Sequence, residues 1–214
     1  MDTIKDIATR NIIKLVFGTD SRELMSDFET QDGKITKVPF HKLVGDCFHE
    51  SFTDYYTNPL SLFFGNIRTK MGIGKERARL NRNEMSMRND IRKLVENRKK
   101  GPKPERKDML MMFLEDSSYD NKLDDLVDDL AIFLFTGNDT AAYTTTATYH
   151  RLAECPEVKE KLMVEIKSKL PSGWTKDNLG SVLNKDILND MPYLNAVIKE
   201  VMRFETIAPL SLTY

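Results

Sequence analysis

Residues 123–152 read LDDLVDDLAIFLFTGNDTAAYTTTATYHRL. Leu123, Leu126, Val127, Leu130, Phe133 and Leu134 recur at intervals of three and four, the spacing of one helix face. The same face continues through Gly137, Ala141, Thr145, Thr148 and Leu152. The pattern predicts one helix of about thirty residues, long for a globular protein. Gly137 lies inside it, where a Gly costs about 1 kcal/mol relative to Ala. What a bare backbone offers in return is close approach to a flat ligand. Thr140 follows Thr136 by four, so its hydroxyl can bond the Thr136 carbonyl and loosen that turn. A loosened turn can hold water. Asp139 beside Thr140 then sets an acid and an alcohol at an opened groove, a candidate proton relay. A second reading stays open, in which Asp139 caps a separate helix starting at Thr140. Asn138-Asp139-Thr140 also matches a glycosylation sequon; on an apolar-faced helix it reads as coincidence.

The flanks are helical too. Pro156 suits a first helical turn, and Val158, Leu162, Ile166 and Leu170 recur every four until Pro171-Ser172-Gly173 breaks the pattern. Asp190 and Pro192 mark a further start, with Leu194, Val197, Ile198 and Val201 as its apolar stripe. Leu210 to Tyr214 alternate like a strand. Upstream, Ile4, Ile7, Ala8, Ile12, Leu15 and Val16 share a face of a first helix that Gly18 stops. Residues 19–74 read as short helices and loops, with aromatic residues at Phe52, Tyr55, Tyr56, Phe63 and Phe64. A charged helix fills 75–99, residues 101–104 (Gly-Pro-Lys-Pro) read as a linker, and a short helix carries Met109, Met112 and Phe113.

Composition excludes several classes. Of 214 residues 40% are hydrophobic and 30% charged, with Gly 10 and Pro 8, an ordinary globular balance that disfavours a loop-rich all-β protein. The apolar run Leu130 to Phe135 is six residues, far below the roughly 18 to 20 that span a bilayer. The start MDTIKDIATR shows no apolar signal segment. Cys47 and Cys155 are too few for a disulfide framework or a multi-thiolate zinc site. Residues 68–107 hold fifteen Lys/Arg against five Asp/Glu, although the whole chain sums to −1. Such a block reads as a solvated helix face; the competing reading is a helical binding or scaffold protein that uses the block on nucleic acid or an acidic partner. Glu200 and Arg203 are three apart, on neighbouring rows of the last helix, where an exposed pair is worth little.

Three motifs in order carry a family resemblance. They are Thr136-Gly137-Asn138-Asp139-Thr140, then Cys155-Pro156-Glu157-Val158-Lys159-Glu160-Lys161-Leu162, then Met191-Pro192-Tyr193-Leu194-Asn195-Ala196-Val197-Ile198-Lys199-Glu200-Val201-Met202-Arg203. They resemble the I, J and K helices of the cytochrome P-450 superfamily of haem-thiolate monooxygenases. The stretch from Glu105 to Glu115 is similar to the segment before the I helix, and the first helix, ending Val16-Phe17-Gly18, to the E helix. The resemblance implies a mainly α chain: a partial P-450 fold from about helix E to helix K, residues 1–214 forming one partial domain with most of the β-sheet missing.

For function the resemblance implies that Thr136, Gly137 and Ala141 lie against haem, while Asp139 and Thr140 deliver protons during dioxygen activation. It makes Glu200 and Arg203 a structural salt bridge and places Phe133, Ile207, Leu210 and Leu212 around a small apolar substrate. Electrons would come from a reductase or ferredoxin, and no nucleic acid is expected. Thr136 stands where Ala or Gly is common, and Thr206 where Pro often follows the Glu-x-x-Arg helix. The family's iron-ligating Cys sits in a loop well downstream of the K helix, so neither Cys47 nor Cys155 matches it and no metal ligand is assigned here. The chain therefore reads as an internal piece of a longer enzyme, a truncated gene model or a pseudogene product, inactive alone and not retaining haem. It is expected to leave Phe133, Leu134 and Val197 exposed. Location is open; for the full-length protein the resemblance suggests the endoplasmic reticulum membrane.

Overall fold

The structure is a computed structural model that describes residues 3–102, 107–175 and 177–206. It is mainly helical, and the chain divides into two compact units, Met1–Asp139 and Thr140–Tyr214. No helix among the described residues is long and apolar enough to cross a membrane.

The first unit starts with α1 (Ile4–Phe17). The Thr3 hydroxyl accepts the Asp6 N–H, and the Asp6 carboxylate accepts the Thr3 N–H, a reciprocal cap that satisfies two end donors. Gly18 ends the helix at φ 66°, as expected, and its N–H returns to the Lys14 carbonyl at 2.9 Å. An antiparallel hairpin follows, β1 (Met25–Glu29) and β2 (Ile35–Pro39), with Phe28 opposite Thr36. This corrects the reading of 19–74 as helices and loops only. α2 (Phe40–Thr57), α3 (Pro59–Met71) and α4 (Lys75–Lys100) come next. Gly101 and Pro102 then leave α4, while positions 103 and 104 of the expected linker lie outside the described residues. α5 (Met109–Leu114) and a 3₁₀ turn (Ser117–Tyr119) lead into α6 (Leu123–Glu154).

The core of this unit joins Ile13, Val16 and Phe17 of α1, Phe40, Leu43 and Val44 of α2, Met87, Ile91 and Val95 of α4, and Leu126, Leu130 and Leu134 of α6. Leu134 is fully buried, contrary to the expectation that it would be exposed, because it continues the Leu126–Leu130 face into that core.

The basic block is largely paired inside the chain. Arg68, Arg77 and Arg79 are buried. Arg68 donates to both oxygens of Asp54, at 2.5 and 2.8 Å, and to the Ser61 hydroxyl at 2.9 Å. Arg77 is bound by Asn81 and Glu84, and Arg79 by Glu50, Glu76 and the Glu29 carbonyl. Arg82 pairs with Glu29, Arg88 with Asp128, Arg92 with Asp124 and Arg98 with Asp108. Buried guanidinium groups need such partners to offset desolvation. α4 also holds the hairpin: Asn83 donates to the Glu29 carbonyl and accepts the Glu29 N–H, at 3.0 and 2.8 Å, in the manner of a neighbouring strand.

The second unit contains the end of α6, then α7 (Pro156–Lys169), α8 (Leu179–Val182), α9 (Lys185–Asn189) and α10 (Pro192–Phe204). Leu162, Leu170, Met191, Val197 and Val201 are its buried apolar residues, so Val197 too is covered. The start of α10 is not capped by Asp190, which pairs with Lys169 at 2.6 Å. Glu165 of α7 accepts the Tyr193 and Leu194 N–H groups instead, at 2.9 and 2.8 Å. A carboxylate is well suited to that positive helix end. The expected strand from Leu210 to Tyr214 lies outside the described residues.

Candidate functional site

α6 is one helix through the whole glycine turn, so the alternative of a new helix beginning at Thr140 does not hold. Its faces differ sharply. Leu130, Leu134 and Asn138 are buried, whereas Ile132, Phe133, Thr136, Thr140 and Ala141 are exposed. Ile132, Thr136 and Thr140 follow one another at i, i+4 and i+8 and form a single open stripe. The Thr136 hydroxyl donates to the Ile132 carbonyl at 3.0 Å. Thr144, Thr145, Thr146 and Thr148 each donate to the carbonyl four residues back. Phe133 is 39% exposed, with its ring edge-on to Phe113 at 5.4 Å.

Gly137 belongs to another environment from Thr136 and Thr140. A Cβ built there would lie 2.5 Å from Ile12 Cδ1 and 2.7 Å from Ile12 Cγ1. The missing side chain therefore admits α1, a packing reason for this glycine that the sequence did not disclose. Beside it, the Thr9 hydroxyl lies 2.7 Å from Asn138 Oδ1, and the Lys5 ammonium 3.9 Å from Asp139.

In the second unit Arg203 donates from Nε and Nη2 to the two oxygens of Glu200, at 2.9 and 2.7 Å. This contact holds the Glu200 carboxyl below its usual range and raises Arg203. Both side chains are well exposed. Two guanidinium groups lie over the Phe204 ring, Arg203 at 4.7 Å and Arg151 at 5.5 Å from its centroid. Arg151 in turn pairs with Glu154 and Glu205. The Arg151–Phe204–Glu205 group was not read from the sequence; Phe204-Glu205 directly after Arg203 was its one local signal. A cleft of about 440 Å³ adjoins Glu200, walled by Leu152, Val158, Tyr193, Val197, Val201 and Phe204. The expected pocket residues Ile207, Leu210 and Leu212 lie outside the described residues.

Neither cysteine sits in a ligand cluster, and no group of three or more His, Cys, Asp or Glu fit to hold a metal occurs among the described residues. Cys47 is buried in the core, and burial pushes its thiol far above the usual range, so it stays protonated. Cys155 is exposed where α6 gives way to α7.

Comparison with known proteins bears on the same elements. The family model described as Cytochrome P-450 matches residues 3–213. Cytochrome P-450 monooxygenase cloA of Claviceps purpurea is 38% identical over 86 residues, 40% of this chain and 16% of that protein. The bifunctional cytochrome P-450/NADPH–P-450 reductase ALT2 of Alternaria alternata is 29% identical over 135 residues, 61% of this chain and 11% of that protein. The crystal structure of a cytochrome P-450 (CYP102L1) superposes with a TM-score of 0.65 at 19% identity, over 95% of this chain and 42% of that one. The matched segments are thus a minor part of each relative, while the family match runs nearly end to end here. The mainly α chain belongs to the cytochrome P-450 family.

Proposed function

We propose that this chain is part of a haem-dependent monooxygenase that inserts oxygen into a small apolar substrate, with electrons from a reductase or ferredoxin. Its two units are read as parts of one catalytic domain. The observation that carries the reading is the open stripe Ile132–Thr136–Thr140 on an unbroken α6, with Asp139 alongside. A flat macrocycle fits such a stripe. Its side chains are small or apolar, and the Thr136 hydroxyl is already turned to the helix's own carbonyl. Haem, when bound, supplies the chemistry of dioxygen activation.

The protein's residues have four tasks in this reading. Thr136 and Ala141 would hold the cofactor, with Gly137 letting the helix sit against α1. Asp139 and Thr140 hold and pass protons, the Asp139 carboxylate taking one up from water and releasing it as the carboxylic acid, with the Thr140 hydroxyl as the oriented partner. Phe133 forms part of the substrate wall. Glu200 and Arg203 brace α10. Neither Cys47 nor Cys155 supplies the thiolate; that ligand comes from outside this sequence, and the 214-residue chain is inactive alone. For the complete protein, attachment to the endoplasmic reticulum membrane is proposed on family grounds.

The test is the reduced carbon-monoxide difference spectrum. The complete protein should give the band of thiolate-ligated haem, and the 214-residue chain mixed with haem should not. A strong thiolate band from the chain alone would refute the ligand assignment. Its absence from the complete protein would refute the function. The scaffold reading has less support, since Arg77, Arg79 and Arg82 of the basic block are held by carboxylates of this chain.

A further inference from the structure

One face of α1 addresses three successive residues of α6. Lys5, Thr9 and Ile12 stand at i, i+4 and i+7. They meet Asp139, Asn138 and Gly137 respectively. The middle contact is the buried one: Thr9 is 1% exposed and Asn138 is 0% exposed. A hydrogen bond shut off from water is directional and costly to break, whereas the half-exposed Lys5–Asp139 pair at 3.9 Å is weak.

The hydrogen bonding of this contact runs through Thr9. Its hydroxyl oxygen lies 2.7 Å from the Asn138 carboxamide oxygen and 2.8 Å from the Lys5 carbonyl, and its single proton can serve only one of them. The Lys5 carbonyl can only accept. Asn138 Nδ2 is buried without a hydrogen-bond partner. A half-turn of the carboxamide puts that N–H on the Thr9 oxygen and frees the Thr9 proton for Lys5. A continuous chain results, from Asn138 N–H to Thr9 O–H to the Lys5 carbonyl.

We propose that Thr9 is a positioning residue for Asp139: gripping Asn138, it fixes the rotation of α6 at this turn and so the direction of the next residue's carboxylate. The inference rests on the proton-delivering role of Asp139 proposed above. Thr9→Val keeps the shape and removes the hydroxyl, stranding a buried amide; Thr9→Ser restores the hydroxyl.

The experiment uses the complete, haem-loaded protein and two readouts. Amide exchange of the α6 peptide around residue 138 should be roughly tenfold faster in Thr9→Val, and near wild type in Thr9→Ser. The share of electrons lost to hydrogen peroxide should rise severalfold in Thr9→Val, recover in Thr9→Ser, and rise no further when Thr9→Val is added to Asp139→Asn. Should Thr9→Val fail to fold, Thr9→Ala removes the same hydroxyl and is measured in its place. Faster exchange with an unchanged peroxide share would overturn the positioning role and leave only a structural one. Unchanged exchange would overturn the contact itself. If Asp139→Asn alone leaves the peroxide share unchanged, the proton-delivery reading fails and this inference falls with it. If Asp139→Asn raises the peroxide share and Thr9→Val does not, only this inference fails.

Discussion

Gly137→Ala sets two effects of known sign against each other. Replacing an interior helical Gly by Ala stabilises a free helix by about 1 kcal/mol. Here the new methyl would lie 2.5 and 2.7 Å from Ile12 Cδ1 and Cγ1, against an ordinary carbon contact of about 3.5–4.0 Å. Ile12 is β-branched within α1, so its χ1 cannot swing freely away, and either α1 or α6 must move. Over-packing of this kind costs about 1–3 kcal/mol. The net expectation is a loss of about 1 kcal/mol (range about 0–2), read as a urea midpoint lowered by roughly half a molar. Ile12→Ala clears both crowding atoms and leaves Cβ at 3.5 Å. The double variant should therefore be more stable than the sum of the single changes by about 1 kcal/mol. If Gly137→Ala instead raised the midpoint, as helix propensity alone dictates, the packing of α1 over the glycine would be refuted.

Three further outcomes are expected. Arg68→Met leaves the Asp54 carboxylate, only 8% exposed, without its bidentate partner and should cost about 3 kcal/mol in denaturant unfolding; a loss under about 1 kcal/mol would show the pair to be dispensable. Burial lowers the His41 pKa from 6.5, with Asp6 opposing and Arg10 and Lys42 adding to the shift. The unfolded chain then binds the proton first, so this contribution to stability is intact above about pH 6.5 and is lost as pH falls below it. His41→Gln should flatten that part of a stability–pH curve, and an unaltered slope would remove His41 as its source. Glu165→Gln weakens the cap on α10, and amide exchange at Tyr193 and Leu194 should quicken by about tenfold; unchanged protection there would mean that the cap contributes nothing.

The helices were legible because their apolar residues repeat at the helix period and their ends carry ordinary signals. Gly18 and Pro156 fall where the sequence reading placed them. The hairpin was not legible. β1 buries Ser26 along with Phe28, so its inward face looks half polar, and much of its support comes from Asn83, more than fifty positions away. Asp190 and Pro192 did announce a helix start, but the carboxylate that caps it belongs to Glu165 on α7, which no local spacing reveals. The same holds at the glycine turn. Asp139 and Thr140 stood out as acid and alcohol, whereas Lys5, Thr9 and Ile12 became visible only once α1 was seen to meet α6. A charge count over 68–107 could not tell a solvated basic face from arginines held by Asp54, Glu84 and Glu50.

Proton delivery by the α6 turn, as proposed, stands or falls on the electron balance of Thr140→Ala in the complete, haem-loaded protein, measured as hydrogen peroxide released per reducing equivalent consumed. Haem content should match wild type, and the peroxide share should rise severalfold at the expense of product. Haem content and peroxide share both equal to wild type would contradict it.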